Sequence, residues 1–167
     1  MTFALFSFVS ERALAQPPPA RLDLSMVGFF IGEWKGAGAF ANGRAIAATL
    51  SFRLSLDSAW LVSDHADVPP NDYKATSYWG VDATTGQFVC SVFDNFHGHR
   101  SFSSSGWAAG RLVLTTQSYF AGAGTYYEHF IFERQSDTQF RMTYETSRDG
   151  IAWQMGDSLL FTKTKTS

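Results

Sequence analysis

The fold is decided by the stretch Gly28-Phe29-Phe30-Ile31-Gly32-Glu33-Trp34-Lys35-Gly36-Ala37-Gly38. Alternate residues of a β-strand share a face, so Trp34, Gly36 and Gly38 point the same way if this stretch is extended. A large ring followed by two positions without side chains is expected where a barrel is plugged at one end and left open above the plug. The stretch therefore predicts a β-barrel and indicates nothing about a reaction.

The composition fits one globular domain with a substantial core. The chain has 167 residues, of which 45% are apolar, 17% charged and 16% aromatic, and the aromatic content favours β-structure. A formal net charge of −2 and a pI near 6.0 predict no nucleic-acid partner. The sequence has a single cysteine, Cys90, which excludes an internal disulfide and a cysteine-rich metal site, and we expect a buried thiol on a strand.

The N-terminus has features of a signal peptide. An apolar run over residues 2–9 is followed by Ala13 and Ala15, which fit a small-residue cleavage site, so residues 1–15 are the predicted signal and Gln16 the mature start. The protein is then an exported bacterial one, periplasmic or secreted. No Lys or Arg precedes the apolar run, so the alternatives are a start further upstream or a cytoplasmic protein. No other stretch is apolar over the length of a transmembrane segment.

Strand signals continue almost to the end of the chain. After an extended, proline-rich lead-in over residues 16–24, the range 22–31 is expected to hold one helical turn, and Asn42-Gly43 predicts a hairpin. From Ile46 to Leu56 apolar residues alternate cleanly with polar or small ones, as in a strand with one buried face. Short turns then recur at intervals typical of a meander. The prediction is an all-β fold, a single up-and-down antiparallel barrel of about ten strands over residues 25–167.

The Gly32-Glu33-Trp34 motif resembles the Gly-x-Trp motif of lipocalins and the wider calycin group. The fuller run from Phe30 to Gly38 is similar to lipocalin-like bacterial domains of unknown function and to the nitrobindin branch. The resemblance implies a structural barrel floor built by Gly32, Trp34, Gly36 and Gly38. It also implies that a basic residue near the C-terminus packs over the tryptophan, and Lys163 or Lys165 would be that residue here.

The similarity to nitrobindin raises haem as a cofactor. Nitrobindins hold haem through a histidine on their final strands, and here no histidine follows His129, so the last strand, from Ile151 on, offers no axial ligand. His129 is the candidate that remains in the neighbouring region. We predict no cofactor and keep haem binding as a minor alternative.

Polar side chains are concentrated at one predicted hairpin tip. Asp94, His97, His99 and Arg100 follow one another closely, and the two histidines share a face if the segment is extended. Three interpretations are open: a polar loop whose acid bonds the turn backbone, a rim that contacts a ligand, or a metal site completed by another residue. We predict a ligand-contacting rim without a metal.

Several acids fall in register with apolar residues, where a carboxylate is costly unless it is paired or protonated. Asp64 competes with its neighbour His65 for the inward position, and Glu128 competes in the same way with His129. The alternation of side chains along a strand does not decide which member of either pair points inward. Asp157 is in register with Trp153 and Leu159, but a bulge at Gly156 would turn it outward.

The leading function is the binding of a small, mostly apolar ligand in an aromatic-lined cavity. The residues expected to contact the ligand are Asp64, His65, Asp94, His97, His99, Arg100, Tyr126, Glu128, His129 and Tyr144. The alternative is an enzyme in which His65, Glu128 or His129 acts as acid or base and Tyr126 or Tyr144 orients the substrate. A third alternative is a purely structural or partner-binding barrel whose interior is filled by its own side chains. The sequence is compatible with a monomer or a homodimer.

Overall fold

The computed structural model describes residues 21–164. The predicted signal peptide of residues 1–15, its cleavage site, the start of the lead-in and Lys165 lie outside the described residues. Residues 21–23 lead directly into a short helix, and the Asp23 side chain caps that helix by accepting a hydrogen bond from the Ser25 amide at 2.8 Å.

The described chain is almost entirely β-structure. A single helical turn, α1, covers Leu24–Val27 and passes into a 3₁₀ turn, Gly28–Phe30. The strands that follow are β1 Gly32–Phe40, β2 Ala45–Ser55, β3 Trp60–Asp67, β4 Lys74–Val81, β5 Phe88–Asp94, β6 Gly98–Ser104, β7 Trp107–Ala108, β8 Arg111–Phe120, β9 Gly124–Ser136, β10 Gln139–Ser147 and β11 Trp153–Lys163.

The strands form a closed antiparallel barrel of ten strands, and the two-residue β7 is an additional strand at the edge. Sequence neighbours pair from β1 to β6 and from β7 to β11, and β1 pairs with β11. The ring closes where Ser103 of β6 pairs with Thr115 of β8. The predicted all-β meander of about ten strands is therefore confirmed.

The alternation along β2 explains its place in the barrel wall. Its inward residues from Ile46 to Phe52 are at most 6% exposed, whereas Ala45, Thr49 and Arg53 face solvent. Leu56 was predicted on the inward face as well, but it lies beyond the strand end in a turn with φ of +50° and is 69% exposed. The chain has already left the sheet at that position, so the strand parity no longer applies.

An aromatic plug closes one end of the barrel, and Phe30 lies at its centre. The Phe30 side chain is completely buried and contacts rings from strands on several sides of the barrel. Its partners, with centroid distances of 5.0 to 5.8 Å, are Phe52, Trp79, Trp107, Phe132 and Phe140. The Trp107 indole also donates a hydrogen bond to the Met26 carbonyl at 2.7 Å, which ties the helical turn to the barrel.

Trp34 extends this plug at the β1–β11 pairing. It is 1% exposed, and its indole N–H donates to the Phe30 carbonyl at 2.6 Å. The Lys163 ammonium lies 5.0 Å from the ring centroid of Trp34 and donates to the Phe29 carbonyl at 3.3 Å. The Lys163 side chain also passes close to Gly32, where an added Cβ would be 3.0 Å from its Cε.

The two glycines after Trp34 do not leave open space, contrary to the sequence prediction. The Phe161 ring occupies the space beside Gly36, where an added Cβ would be 2.6 Å from the nearest ring atom. At Gly38 an added Cβ would be 1.8 Å from the Ser158 carbonyl oxygen of β11. The glycines serve close packing of β11 and its ring against β1, so the space for a ligand must lie elsewhere.

Candidate functional site

A cavity of about 410 Å³ opens at the end of the barrel opposite the aromatic plug. We call it the mouth cavity, because the turns between β1 and β2, β3 and β4, and β5 and β6 contribute to its rim. It is lined by Phe40, Arg44, Ile46, His65, Asp67, Pro70, Asn71, Asp72, Tyr73, Phe96, His97, Arg100, Phe130, Met142, Tyr144, Asp157 and Leu159. Its walls thus combine apolar and aromatic side chains with a comparable number of ionisable residues.

The barrel between the mouth cavity and the plug is nearly filled. A space of only about 50 Å³ remains there, bounded mainly by aromatic and aliphatic side chains. Phe130 and Met142 border both spaces and form the bottom of the mouth cavity. A molecule of substantial size therefore has room only in the upper part of the barrel.

A buried charge cluster around Arg100 forms one wall of the mouth cavity. The Arg100 side chain is 3% exposed, its Nη2 donates to Asp94 Oδ2 at 2.6 Å, and its Nη1 donates to Glu128 Oε1. The Tyr144 hydroxyl donates to the same Glu128 oxygen at 2.7 Å. Strands β5, β6, β9 and β10 each supply one member, so the cluster joins four strands through charge-assisted hydrogen bonds.

Burial and charge act against each other in this cluster. Burial alone would lower the pKa of Arg100, but the carboxylates of Glu128 and Asp94 outweigh it and raise that pKa. Burial would raise the pKa of Asp94, but the amides of His97 and Phe96 and the Arg100 guanidinium hold it below its ordinary value. The Tyr144 hydroxyl has a raised pKa because it is buried and faces Glu128, so it stays a hydrogen-bond donor.

Two buried atoms of the cluster lack partners. Arg100 Nε and Glu128 Oε2 make no hydrogen bond to any described residue. An unpaired buried donor or acceptor is costly, so such atoms in a native protein are usually satisfied by water or by a ligand. Arg100 lines the mouth cavity, but its Nε is enclosed within the cluster and has no exposed surface.

A second polar group lies on β3. His65 Nε2 is 2.9 Å from Asp67 Oδ1, and the two side chains are 10% and 3% exposed. Residues two apart on a strand share a face, which brings both side chains into the cavity. Asp157 lies close enough to this pair for the charges to interact. Burial and the nearby Asp67 carboxylate raise the pKa of Asp157 to about 6, against an opposing effect of His65.

Of the ambiguous pair on β3, the structure places His65 inside and Asp64 outside. The Asp64 side chain is 48% exposed, lies 3.7 Å from Arg53 and accepts a hydrogen bond from Thr76 at 2.6 Å. Asp64 therefore belongs to the outer surface, and its predicted contact with a cavity ligand is not supported by its position.

On β9 the inward residue is Glu128 and the outward one is His129. Glu128 is 1% exposed, whereas the His129 ring stacks on Trp153 at a centroid distance of 3.4 Å and lies 3.9 Å from the Glu145 carboxylate. Burial lowers the pKa of His129 despite that carboxylate. Because His129 faces away from the mouth cavity and is covered by an indole, it does not fit the role of a haem ligand to a group bound inside the barrel.

The two histidines of the predicted rim do not share a face. His97 lies in the turn between β5 and β6 at the mouth cavity, where its ring is 5.3 Å from Phe120. Gly98 follows with φ of +76°, which ends the extended geometry that the prediction assumed. His99 is exposed on the outer face of β6 and stacks on Phe93 at 4.6 Å.

Tyr126 also lies apart from the mouth cavity. The Arg148 guanidinium stacks over its ring at 3.6 Å and donates a hydrogen bond to its hydroxyl. Both residues border a separate surface pocket beside the turn between β10 and β11. Of the ten predicted ligand contacts, His65, His97, Arg100 and Tyr144 line the mouth cavity, and Asp94 and Glu128 hold Arg100 from behind.

The predicted bulge at Gly156 exists, but its effect is the reverse of the one expected. The β10–β11 register shifts between Tyr144, paired with Asp157, and Glu145, paired with Met155, and so skips Gly156. The residues before the bulge turn outward, with Met155 44% exposed, whereas Asp157 stays inside with Leu159. The Tyr144 ring packs over Gly156, where an added Cβ would be 2.9 Å from its Cδ1.

Sequence reasoning missed Asp67 and Tyr73. The alternation of faces along a strand could have predicted that both point inward. Asp67 is two residues from His65, and Tyr73 is an even number of residues from the buried Trp79. The Tyr73 ring lies 5.4 Å from that of His65. Burial and the Asp94 carboxylate raise the pKa of the Tyr73 hydroxyl, although Arg100 opposes them.

Two features are absent from residues 21–164. No group of three or more histidine, cysteine or acidic side chains in that range is arranged to hold a metal ion. No helix of the same range has the length and apolar character needed to cross a bilayer.

The fold and site define a closed antiparallel β-barrel with a polar-walled cavity at one end. No family model and no curated protein matches the chain. Among solved structures, one described as a redesigned β-barrel is similar, with 11% sequence identity, a TM-score of 0.36, and coverage of 85% of this chain and 96% of that one. The assignment of a ten-stranded barrel stands on the strand pairings themselves.

Proposed function

We propose that the protein binds a small, mostly apolar molecule that carries an acceptor oxygen, and that it binds this molecule in the mouth cavity. The observation that carries the proposal is the cavity of about 410 Å³ above a filled barrel interior. This volume is within the roughly 300–1,000 Å³ of small-molecule sites. Such sites are typically apolar and contain a few polar groups, and this one has an apolar lining together with a larger number of ionisable residues.

The apolar and polar parts of the cavity wall both support the proposed chemistry of the ligand. Phe40, Ile46 and Leu159 offer apolar contacts for the body of the molecule, and Phe130 and Met142 offer them at the bottom. The Arg44 guanidinium at the cavity rim supports an acceptor oxygen on the ligand, because it carries five N–H donors and its Nη1 alone bonds Asn71 among the described residues.

Displacement of an uncharged fluorescent probe, N-phenyl-1-naphthylamine, tests the proposal. We expect the probe to gain fluorescence with the wild-type protein and to be displaced by long-chain alcohols or ketones. Ile46→Trp fills the cavity from β2 and should abolish probe binding. Ala45→Trp is the matched control, because its side chain is on the exposed outer face of the same strand.

Thermal melting shows whether each variant is folded, since overpacking of this kind costs roughly 1–3 kcal/mol. If folded Ile46→Trp binds the probe as tightly as the wild type, the mouth cavity is not the binding site. Native mass spectrometry of protein purified from its own host would then identify the molecule that the barrel carries.

Export of the protein is part of the same proposal. A signal peptide over residues 1–15 would place the mature barrel, starting at Gln16, in the periplasm or outside the cell. N-terminal sequencing of the native protein tests this, and an intact Met1 would contradict it.

A further inference from the structure

The mouth cavity contains a histidine whose orientation is fixed by a carboxylate. The Asp67 carboxylate can only accept, so the 2.9 Å contact with His65 Nε2 places the hydrogen of the neutral imidazole on that nitrogen. Nδ1 is then the unprotonated nitrogen, and it makes no hydrogen bond to any described residue. His65 thus has the arrangement of a general base, with Asp67 as its positioning residue.

A carboxyl group lines the same cavity on β11. The Asp157 carboxyl makes no hydrogen bond to a described side chain or amide, although neighbouring polar residues are extensively paired. Burial favours its protonated form, with a pKa of about 6, and Asp67 adds to this effect. A carboxylic acid that keeps its proton up to about pH 6 can act as a general acid in mildly acidic solution.

The two groups line the same cavity as the apolar side chains of Phe40, Ile46 and Leu159. A base and an acid in the wall of one cavity form the set needed for proton transfer next to a carbonyl group.

We propose that the mouth cavity catalyses proton transfer on a bound apolar ketone or aldehyde, with His65 as the base and Asp157 as the acid. This inference rests on the proposed function, because it requires a carbonyl compound bound in the same cavity. It adds a reaction to binding and assigns a role to Asp67 and Asp157.

The step is balanced without a further reactant. A C–H bond next to the carbonyl breaks and its proton moves to Nδ1 of His65. The electron pair forms the C=C bond of the enol, and the carbonyl oxygen takes the proton of Asp157. Reverse transfers, to the same carbon or to a conjugated one, restore both side chains and give an exchanged or isomerised product.

The environment of Asp157 determines how this activity depends on pH. The ionisable groups that line the cavity with Asp157 are Arg44 from the β1–β2 turn, His65 and Asp67 from β3, Asp72 and Tyr73 from the β3–β4 loop, His97 and Arg100 from the β5–β6 turn and β6, and Tyr144 from β10. Ionisation of Asp157 removes the acid, so we expect the protein-dependent rate to fall as pH rises through about 6.

Hydrogen–deuterium exchange of 2-tetralone in D₂O, followed by mass spectrometry, tests the inference. This apolar ketone has acidic protons next to its carbonyl and is small enough for the cavity. We expect exchange at least about 100-fold faster than with free imidazole at the same concentration. His65→Gln should remove this enhancement, whereas His99→Gln, on the outer face of β6, should retain it.

Two further variants separate chemistry from structural effects. Asp157→Asn should lower the rate at pH 5 and abolish its decline above pH 6. Asp67→Asn should lower the rate, because the imidazole loses the hydrogen-bond partner that orients it. Asp64→Asn, at the exposed neighbour of His65, should leave the profile unchanged.

Exchange no faster than with free imidazole, or equal exchange by wild type and folded His65→Gln, would overturn the inference. Displacement of N-phenyl-1-naphthylamine in the same samples distinguishes this failure from failure of the proposed function. If the probe is still displaced while exchange is absent, the barrel binds its ligand without reacting with it.

Discussion

The Phe161 ring lies in the space that a side chain on Gly36 would occupy, with its nearest atom 2.6 Å from an added Cβ. Phe161 is fully buried and stacks on Phe140 at 5.1 Å, so it cannot move without disturbing the plug. We expect Gly36→Ala to lower the free energy of unfolding by roughly 1–3 kcal/mol, as measured by urea denaturation.

Gly28→Ala is the matched control for this substitution. An added Cβ at Gly28 meets no atom within 4 Å, and its φ of −57° suits any residue. Its free energy of unfolding should stay within about 0.5 kcal/mol of the wild type. Equal stability of the two variants would show that the packing of Phe161 against β1 is looser than described.

Removal of the buried guanidinium should cost far more than removal of an exposed one. Arg100→Met leaves the carboxylates of Asp94 and Glu128 buried without their cation, so we expect a loss of roughly 3–5 kcal/mol in urea denaturation. Arg53→Met breaks an exposed pair with Asp64 and should cost less than about 1 kcal/mol. Similar losses for both would contradict the role of Arg100 in joining four strands.

Because of Asp157, we expect the free energy of unfolding to fall as pH rises. Its pKa is about 6 in the folded protein against 3.8 for the ordinary group. The unfolded chain therefore ionises first, and the free energy of unfolding falls as pH rises from about 4 to 6. Asp157→Asn removes this effect and should be more stable than the wild type above pH 6, by on the order of 2 kcal/mol.

The difference between Asp157→Asn and the wild type should vanish below pH 4, where Asp157 is protonated in both states. Urea titrations at several pH values measure it. Asp64→Asn is the control, because it makes the same change at a half-exposed carboxylate on the outer wall. A difference for Asp157→Asn that does not vary with pH would show that folding does not shift the pKa of Asp157.

The position of His129 predicts the outcome of a haemin titration. Since its ring is stacked on Trp153 outside the cavity, His129→Ala should not change the absorbance spectrum obtained on adding haemin. His65→Ala, which alters a histidine inside the cavity, is the comparison. A Soret band that His129→Ala abolishes would show that a haem binds at the outer face of β9.

The barrel itself could be predicted from local signals. The Asn42-Gly43 hairpin and the alternation from Ile46 onward depend on residues that are close in sequence, and both predict neighbouring antiparallel strands. Ring closure between β6 and β8 left no comparable signal, because it rests on a single pair, Ser103 with Thr115.

The site was only partly predictable because strand parity fails where backbone geometry changes. Gly98 interrupts the extended geometry between His97 and His99, and the bulge at Gly156 reverses the faces of the residues before it. Both faces of β9 carry aromatic rings, so the alternation of residues could not predict whether Glu128 or His129 points inward. The pairing with β10 decides this, because it places Tyr144 on the same side of the sheet as Glu128.

The filled lower barrel determines how one bound molecule replaces another. Within the described residues the plug around Phe30 closes one end, so the mouth is the route by which a molecule enters and leaves. One occupant must depart before the next can arrive. The residence time of the occupant, rather than the supply of its replacement, then sets how quickly the barrel is emptied and refilled.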